Sequence, residues 1–399
     1  SFMPWLTGTA FLHSIIVQER KGLLKMWNLS LITLTFSLTI FGTFVTRSGL
    51  ISSVHAFGVS ALGPLFLGFL ALVLVGAAAL IVLRAPLLAG GKRIDAWSSK
   101  ESSFLINNLL FIALTVGVFM GTIMPSLSEW LRGQKITVGA EFFDRFSTPI
   151  GLAIFLLTGV CALLAWGKSD LKRLLKNAAL PAGVTAAILT ALLLLGVRGA
   201  AALPALAILL FSLTTTLVEF IRGARVRART DQLSFARALL SLALHNKRRY
   251  GGYIVHLGVL LLFLGITGSS AFSLDKTATL TKGDVIELAD YRLTYQGLAT
   301  IEKPDREIHR ALFSVSKGGR LLGAIHSDKH LHENFQPATE VGIRSTLKED
   351  LYVILANYDQ GTETATVSVL INPLVLWMWI GGVIMVLGAL LALSPQRRK

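Results

Sequence analysis

Nine apolar stretches punctuate this chain, at roughly 2–17, 28–46, 61–83, 104–124, 149–166, 180–197, 203–221, 250–268 and 373–393, against the ~20 residues a helix needs to cross a bilayer. A chain that carries them has few structural options. Backbone N–H and C=O groups in lipid must be paired within the protein, so such stretches fold as helices. With 53% hydrophobic and only 15% charged residues, the sequence reads as an integral membrane protein. The first stretch, SFMPWLTGTAFLHSIIV, is shorter than a full span and has no initiator Met. It is read as a partial span in a chain that begins partway through a larger protein, and no signal peptide is recognised.

The formal net charge of +15 could suggest nucleic acid, but its distribution argues otherwise. Of the 38 Lys and Arg residues, roughly 22 fall in the segments after the odd-numbered stretches, against about five (Arg47, Arg132, Lys135, Arg145, Arg198) in the short opposite loops. That bias places the former on the cytoplasmic side and predicts a consistent alternation of spans. The lone Cys161 lies in an apolar run, so no disulfide framework is available.

The large polar segment, 269–372, has a different pattern. TATLTKGDVIEL, YRLTYQGLAT, RALFSVSKGGRLLGAI, DLYVILANY and TATVSVLI alternate apolar and polar residues, are rich in β-branched types and are broken by turns such as Lys317–Gly318–Gly319. The fold class expected is thus an all-α polytopic membrane protein of about nine spans, the first partial, with an inserted periplasmic β-domain. The expected parts are a helical region at 1–268, the β-domain at 269–372, and a last span with a basic tail at 373–399. Segment 225–249 is basic, carries Leu239, Leu240, Leu242 and Leu244, and reads as an amphipathic helix on the cytoplasmic surface.

Two histidines lie inside apolar stretches, where an ionisable side chain is costly unless it faces a partner or a cofactor. His13 follows Pro4 and precedes the polar Gln18–Glu19–Arg20 end; His256 comes about 10 Å along a helix from Arg249. Their depths match from one face, so they could ligate one metal between them, and imidazole is an axial ligand of haem iron. Two unrelated interhelical hydrogen bonds explain them equally well. Gly251, Gly252 and Gly258 leave room near His256 for a flat macrocycle or for a closely packed helix.

His55 stands in the short outer loop VTRSGLISSVHAFG, and Arg47, where the preceding helix emerges, could pair with a carboxylate such as a haem propionate. His326, His330 and His332 in HSDKHLHEN have a spacing that invites a metal reading. With no second spacing signal they read instead as a solvent loop or strand end. His309 is expected on the β-domain surface and His245 at the membrane interface. No Walker A or dinucleotide glycine motif and no Cys-x-x-Cys-His occurs, which argues against ATP or NAD chemistry and against a c-type cytochrome. Few acidic residues lie in the spans, unlike a proton-coupled transporter.

SFMPWLTGTAFLHS, GTFVTRSGLISSVHAF, YGGYIVHLGVLLLFLGI, TEVGIRSTLKEDLYVIL and INPLVLWMWIGGVIMVLGALL occur in order and together resemble the C-terminal portion of the CcmF family. This is the membrane component of bacterial cytochrome c maturation, in the haem-handling superfamily with a tryptophan-rich WWD segment. The resemblance implies a haem lyase component of the bacterial inner membrane. It implies that His13 and His256 are axial ligands of a permanent transmembrane b-type haem, and that His55 ligates incoming haem, the substrate. It implies as partners the periplasmic haem chaperone CcmE, CcmH-type thiol-reducing and apocytochrome-presenting subunits, and apocytochrome c, with a quinol as a plausible electron donor and no nucleic acid. The WWD segment and a first external histidine precede the matching region in the family, so this piece alone is expected to be inactive. At HSDKHLHEN the chain departs from the family's pattern, which gives these positions no ligand role. A haem transporter or export channel, and a scaffold for the maturation complex, are the competing functions.

Overall fold

The computed structural model describes residues 2–48, 62–88, 96–199, 202–332, 336–359 and 361–395. Its contacts divide the chain into two units, Ser1–Val184 and Thr185–Lys399.

In the first unit, helices α1 (Phe2–Lys21), α2 (Lys25–Arg47), α3 (Gly63–Leu83), the short α4 (Ala85–Leu88), α5 (Lys100–Arg132) and α6 (Ala140–Leu163) lead into α7 (Leu171–Leu194), which runs on across the division. Leu6 and Ala10 of α1, Leu31 of α2, Phe111 and Leu114 of α5 and Ile154 of α6 form its buried apolar cluster. Small polar pairs tie the same helices. Thr35 Oγ1 donates to Thr7 Oγ1 at 2.8 Å, and Asn28 Nδ2 to Gln18 Oε1 at 2.6 Å. α5 is 33 residues long, so at 1.5 Å per residue it extends about 50 Å, well beyond a hydrocarbon layer of ~30 Å. The Ser99 side chain caps its start by accepting from the Ser102 N–H, and Gly133, with φ near 67°, closes its end.

One end of this unit is held by charge. Lys21 Nζ lies 3.2 Å from Glu101 Oε1, and both Glu101 carboxylate oxygens accept from the Gly167 N–H at 3.1 Å. Arg20 stacks over the Trp166 ring at 4.7 Å. The end of α1, the start of α5 and the α6–α7 turn thus meet at one carboxylate that is only 4% exposed. Breaking a buried pair from one side costs about 3–5 kcal/mol. Glu101→Ala is therefore expected to lower stability towards the bottom of that range, because Lys21 keeps some access to water. Glu101→Gln should cost less, since the amide oxygen still accepts from Gly167. Thermal unfolding of the detergent-purified variants checks this; two unchanged midpoints would remove the clamp from the stability account.

The second unit begins with the rest of α7, followed by α8 (Ala202–Thr230), α9 (Phe235–His245) and α10 (Lys247–Phe272). The basic segment expected as one surface helix over 225–249 is divided instead. α8 continues to Thr230, the backbone turns at Gln232 with φ of 51°, and α9 follows. Ala238 and Leu242 of α9 are buried, and Leu242 packs with Ala224 and Tyr250, while Leu239, Leu240 and Leu244 are exposed.

After α10 come nine strands and then α11 (Val375–Leu393). The strands are β1 (Leu274–Leu280), β2 (Val285–Leu288), β3 (Tyr291–Lys303), β4 (Arg306–Lys317), β5 (Arg320–Leu331), β6 (Ala338–Glu340), β7 (Gly342–Ser345), β8 (Glu349–Asp359) and β9 (Thr364–Pro373). They form a four-stranded sheet in the order β1-β9-β8-β7 and a five-stranded sheet in the order β2-β3-β4-β5-β6, with antiparallel neighbours. Alternate residues point inward, as a period of two requires. Leu293, Tyr295, Phe313 and Val315 of one sheet meet Leu351, Val353, Leu355, Val367 and Val369 of the other in a closed core. His309, expected at the surface, is buried. Its ring lies tilted against that of Tyr358, with centroids 4.3 Å apart, and its Nδ1 lies 3.2 Å from Thr300 Oγ1.

α10 and α11 pack through glycines. A Cβ placed on Gly258 would lie 2.5 Å from the Gly381 carbonyl oxygen and 2.6 Å from the Met385 nitrogen. One on Gly251 would lie 2.7 Å from the Ala392 nitrogen, and one on Gly388 2.6 Å from the Val255 nitrogen. The two backbones approach as closely as small-residue seams in membranes allow. At the junctions, β1 pairs with β9 from Leu274↔Ile371 to Leu280↔Ala365. Ser273 alone separates α10 from β1, and Leu374 alone separates β9 from α11. Leu374 takes the left-handed conformation (φ 61°), donates its N–H to the Lys348 carbonyl at 3.0 Å and covers Gly268 with its side chain.

Eight helices among the described residues, α2, α3, α5, α6, α7, α8, α10 and α11, are long and apolar enough to cross a membrane. α1 falls outside that set; Thr7, Thr9, His13 and Ser14 interrupt its apolar run.

Candidate functional site

α1 turns Leu6, Ala10, Ser14 and Val17 inward, and His13 lies half-buried at the edge of that stripe. Its Nδ1 is 2.8 Å from the carbonyl oxygen of Thr9, one turn earlier. A carbonyl only accepts, so Nδ1 carries the proton and Nε2 keeps the lone pair that could ligate a metal. Fixing the tautomer through the other ring nitrogen is how ligating histidines are usually oriented. The imidazole is flanked by the Phe104 and Phe111 rings of α5, with centroids at 5.9 and 6.1 Å.

Phe104, Asn108 and Phe111 are spaced i, i+4, i+7, so Asn108 shares the helical face of the two rings. It is fully buried, and neither its Oδ1 nor its Nδ2 has a hydrogen-bond partner. Asn107 Nδ2 and Ser14 Oγ are buried and unpaired as well. Away from water each such group costs on the order of 1–3 kcal/mol. The α5 face beside His13 therefore combines an oriented imidazole, aromatic walls and the unsatisfied amide of Asn108, which fits a flat apolar cofactor with polar substituents. A shallow cleft of about 280 Å³ lined by Phe11, Ile15, Asn28 and Ile32 opens between α1 and α2.

His13 belongs to the first unit and His256 to the second, each with its own surroundings. His256 is half-buried on α10, one turn after Gly252 and on the same face. Nothing lies within 4 Å of a Cβ built on Gly252. Of the three glycines that left two options open, Gly251 and Gly258 are taken by α11, and Gly252 alone borders open space on the His256 side. Arg47 ends α2 with an exposed side chain. His55 lies outside the described residues.

In the β-sandwich, His326 and His330 lie within β5 and His332 just past it. His326 is exposed, whereas His330 approaches Asp328 and Glu340. Arg310 donates to both Asp328 oxygens, through Nε at 2.9 Å and Nη2 at 2.6 Å, and this hydrogen bonding holds the guanidinium above its ordinary pKa. Glu340 is absent from any local motif with these residues, and only strand register brings it there. Asn107 and Asn108 did carry a visible signal, two amides in an apolar run, which a search for ionisable groups passes over.

Residues 271–373 match the family described as CcmF C-terminal beta-sandwich. The chain is 32% identical over its full length to the cytochrome c-type biogenesis protein CcmF of Pseudomonas aeruginosa, covering 59% of that protein. It is 33% identical to CycK of Rhizobium meliloti, covering 58%, and 30% identical to CcmF of Escherichia coli, covering 60%, again over its full length. A solved structure of "Cytochrome c Heme Lyase CcmF" superposes with a TM-score of 0.78 at 28% identity, covering 99% of this chain and 59% of that one. The chain thus spans about three-fifths of the length of the curated relatives it matches. In sequence and in three-dimensional fold alike, the chain is similar throughout to the C-terminal part of the CcmF cytochrome c-type biogenesis proteins, and its residues 271–373 match their C-terminal beta-sandwich.

Proposed function

We propose that this chain is the haem-binding C-terminal part of a membrane haem lyase that supports covalent attachment of haem to apocytochrome c. The observation that carries the reading is the match of the entire chain, helices and sandwich together, to a haem lyase of known structure. His13 and His256 are the residues that would hold a b-type haem through their imidazoles. Bound there, the haem would supply a redox-active iron. Thr9 orients the His13 ring, Phe104 and Phe111 exclude water beside it, and Asn108 offers its unpaired amide to a polar edge of the ligand. His55 binds incoming haem delivered by a periplasmic chaperone of the CcmE type, with Arg47 as a partner for a propionate. CcmH-type subunits present the reduced apocytochrome thiols, and a quinol supplies electrons. The basic segments lie on the cytoplasmic side and the sandwich in the periplasm, in the bacterial inner membrane.

The test uses the full-length gene carrying this segment, expressed in a bacterium that lacks its own such protein. Covalent haem should return to c-type cytochromes, read as haem-stained bands after denaturing electrophoresis. His55→Ala should abolish those bands while the purified protein keeps its b-type spectrum, and added imidazole should restore part of the activity by filling the vacated axial position. Maturation that proceeds normally in His55→Ala without imidazole would remove His55 from the mechanism. Loss of the b-type spectrum in that variant would make it a structural residue.

A further inference from the structure

Three adjacent strands of the sandwich align charged residues in one row. Arg310 on β4 pairs in register with Asp328 on β5, and Asp328 pairs with Glu340 on β6. Two carboxylates directly opposite one another across an antiparallel ladder repel and destabilise the pairing. Arg310 is committed to Asp328 by its bidentate hydrogen bonds, which leaves the second negative charge of the row to be balanced. His330, two residues along β5 from Asp328, projects from the same face of the sheet. Its Nε2 lies 3.2 Å from Glu340 Oε2 and 4.0 Å from Asp328 Oδ2. That nitrogen is buried and makes a hydrogen bond with neither.

We propose that Asp328, His330 and Glu340 form a divalent-cation site of zinc type on the outer face of the sandwich, apart from the haem-binding residues. The ligand atoms all lie within 4.8 Å of one another. Zinc binds imidazole nitrogen and carboxylate oxygen at about 2.0–2.2 Å, which sets ligand-to-ligand edges of roughly 3.3–3.6 Å in a tetrahedron. The two His330 distances bracket that edge, so small shifts of the imidazole and of the exposed Glu340 carboxylate would bring the three ligand atoms to it. The carboxylate does not need to release Arg310, because it has about four lone-pair positions and the guanidinium takes only part of them. Arg310 then fixes the orientation of a ligating group, as outer-shell partners of metals do.

The backbone around the site is held in place independently of any ion. Ser327 Oγ donates to the Glu340 carbonyl at 2.9 Å and accepts from the Leu355 N–H at 3.0 Å, joining β6 to β5 and to β8 in the facing sheet. β6 is only three residues long and stands at the sheet edge, so an ion bridging Asp328 and Glu340 would clip it to β5. Three protein ligands leave a fourth position for water or for a donor from outside.

The experiment loads the purified full-length protein, isolated through a histidine-free tag, with zinc alone by equilibrium dialysis at micromolar free metal. Zinc per chain is counted by mass spectrometry beside iron, so any haem does not interfere. One zinc per chain is expected. His330→Ala and Glu340→Gln should each weaken binding on the order of tenfold or more, since even outer-shell changes cost about 10–100-fold. His326→Ala, on the same strand but exposed, should retain the zinc. Glu340 is 70% exposed, so its conservative variant keeps the test valid if the His330 variant folds poorly. No uptake by the wild type, or equal zinc in wild type, His330→Ala and Glu340→Gln, would overturn the site. Retention of the edge pairing by a proton shared between His330 and Glu340 would give the first of those outcomes.

Discussion

His13→Ala strips most of the haem from the purified full-length protein, and His256→Ala does the same. This follows if the two imidazoles are the axial ligands proposed above. Removal of a ligand costs at least the roughly 10–100-fold in affinity that a lost outer-shell contact does. The readout is the low-spin b-type absorption spectrum and the iron content per chain. The matched control is His326→Ala in the sandwich, whose exposed imidazole should leave the spectrum unchanged. A subtler variant separates ligation from helix packing. Thr9 supplies only a backbone carbonyl to His13, so Thr9→Val retains the orienting bond and should retain the haem, although Thr9 Oγ1 loses its own bond to the Trp5 carbonyl. If both histidine variants keep normal iron and spectra, the ligand assignment is wrong whatever the family resemblance.

The second large effect concerns packing. Gly258→Ala places a methyl 2.5 Å from one α11 backbone atom and 2.6 Å from another, and a backbone cannot rotate aside as a side chain can. The helices must separate, losing contacts along the seam, and overpacking of this kind costs about 1–3 kcal/mol for the smallest addition. Gly258→Leu should prevent α10 and α11 from pairing, leaving the chain to be degraded. Gly252→Ala, six residues away on the same helix, meets open space and should be neutral or slightly stabilising, by up to about 1 kcal/mol of helix propensity. Thermal unfolding and protease resistance in detergent read the contrast. Equal stability of Gly252→Ala and Gly258→Ala would show that the seam tolerates separation.

These two cases also show what local sequence could convey. The apolar runs announced the membrane helices because span length is a property of consecutive residues, and alternation announced the sandwich for the same reason. Helix ends were less legible. α5 starts and finishes beyond its apolar core, at Lys100 and Arg132, because a helix need not stop where lipid stops. The glycines near His256 admitted two meanings until the partner helix was in place. Their true pattern is the seven-residue spacing of Gly251, Gly258 and Gly265, answered by Gly381 and Gly388 more than a hundred residues later. The burial of His309 is invisible locally because it depends on Tyr358 from the other sheet. Glu340 joins Asp328 through strand register, which no window of neighbouring residues contains. The haem-site candidates are legible in the sequence because a histidine in an apolar stretch is conspicuous alone.

The joints between sandwich and helices have a mechanical consequence. Each is one residue long, Ser273 on one side and Leu374 on the other, and the strands they lead into are paired to each other along seven positions. The indole N–H of Trp377 donates to the Leu347 carbonyl at 2.9 Å, bracing the start of α11 against a sandwich turn. Such a twin stem resists both swivel and tilt, since either motion would have to shear the β1–β9 ladder or pry the glycine seam apart. A protein that grips the sandwich therefore grips the α10–α11 pair as well, and torque applied to the sandwich is delivered along a stiff shaft to the helix that carries His256.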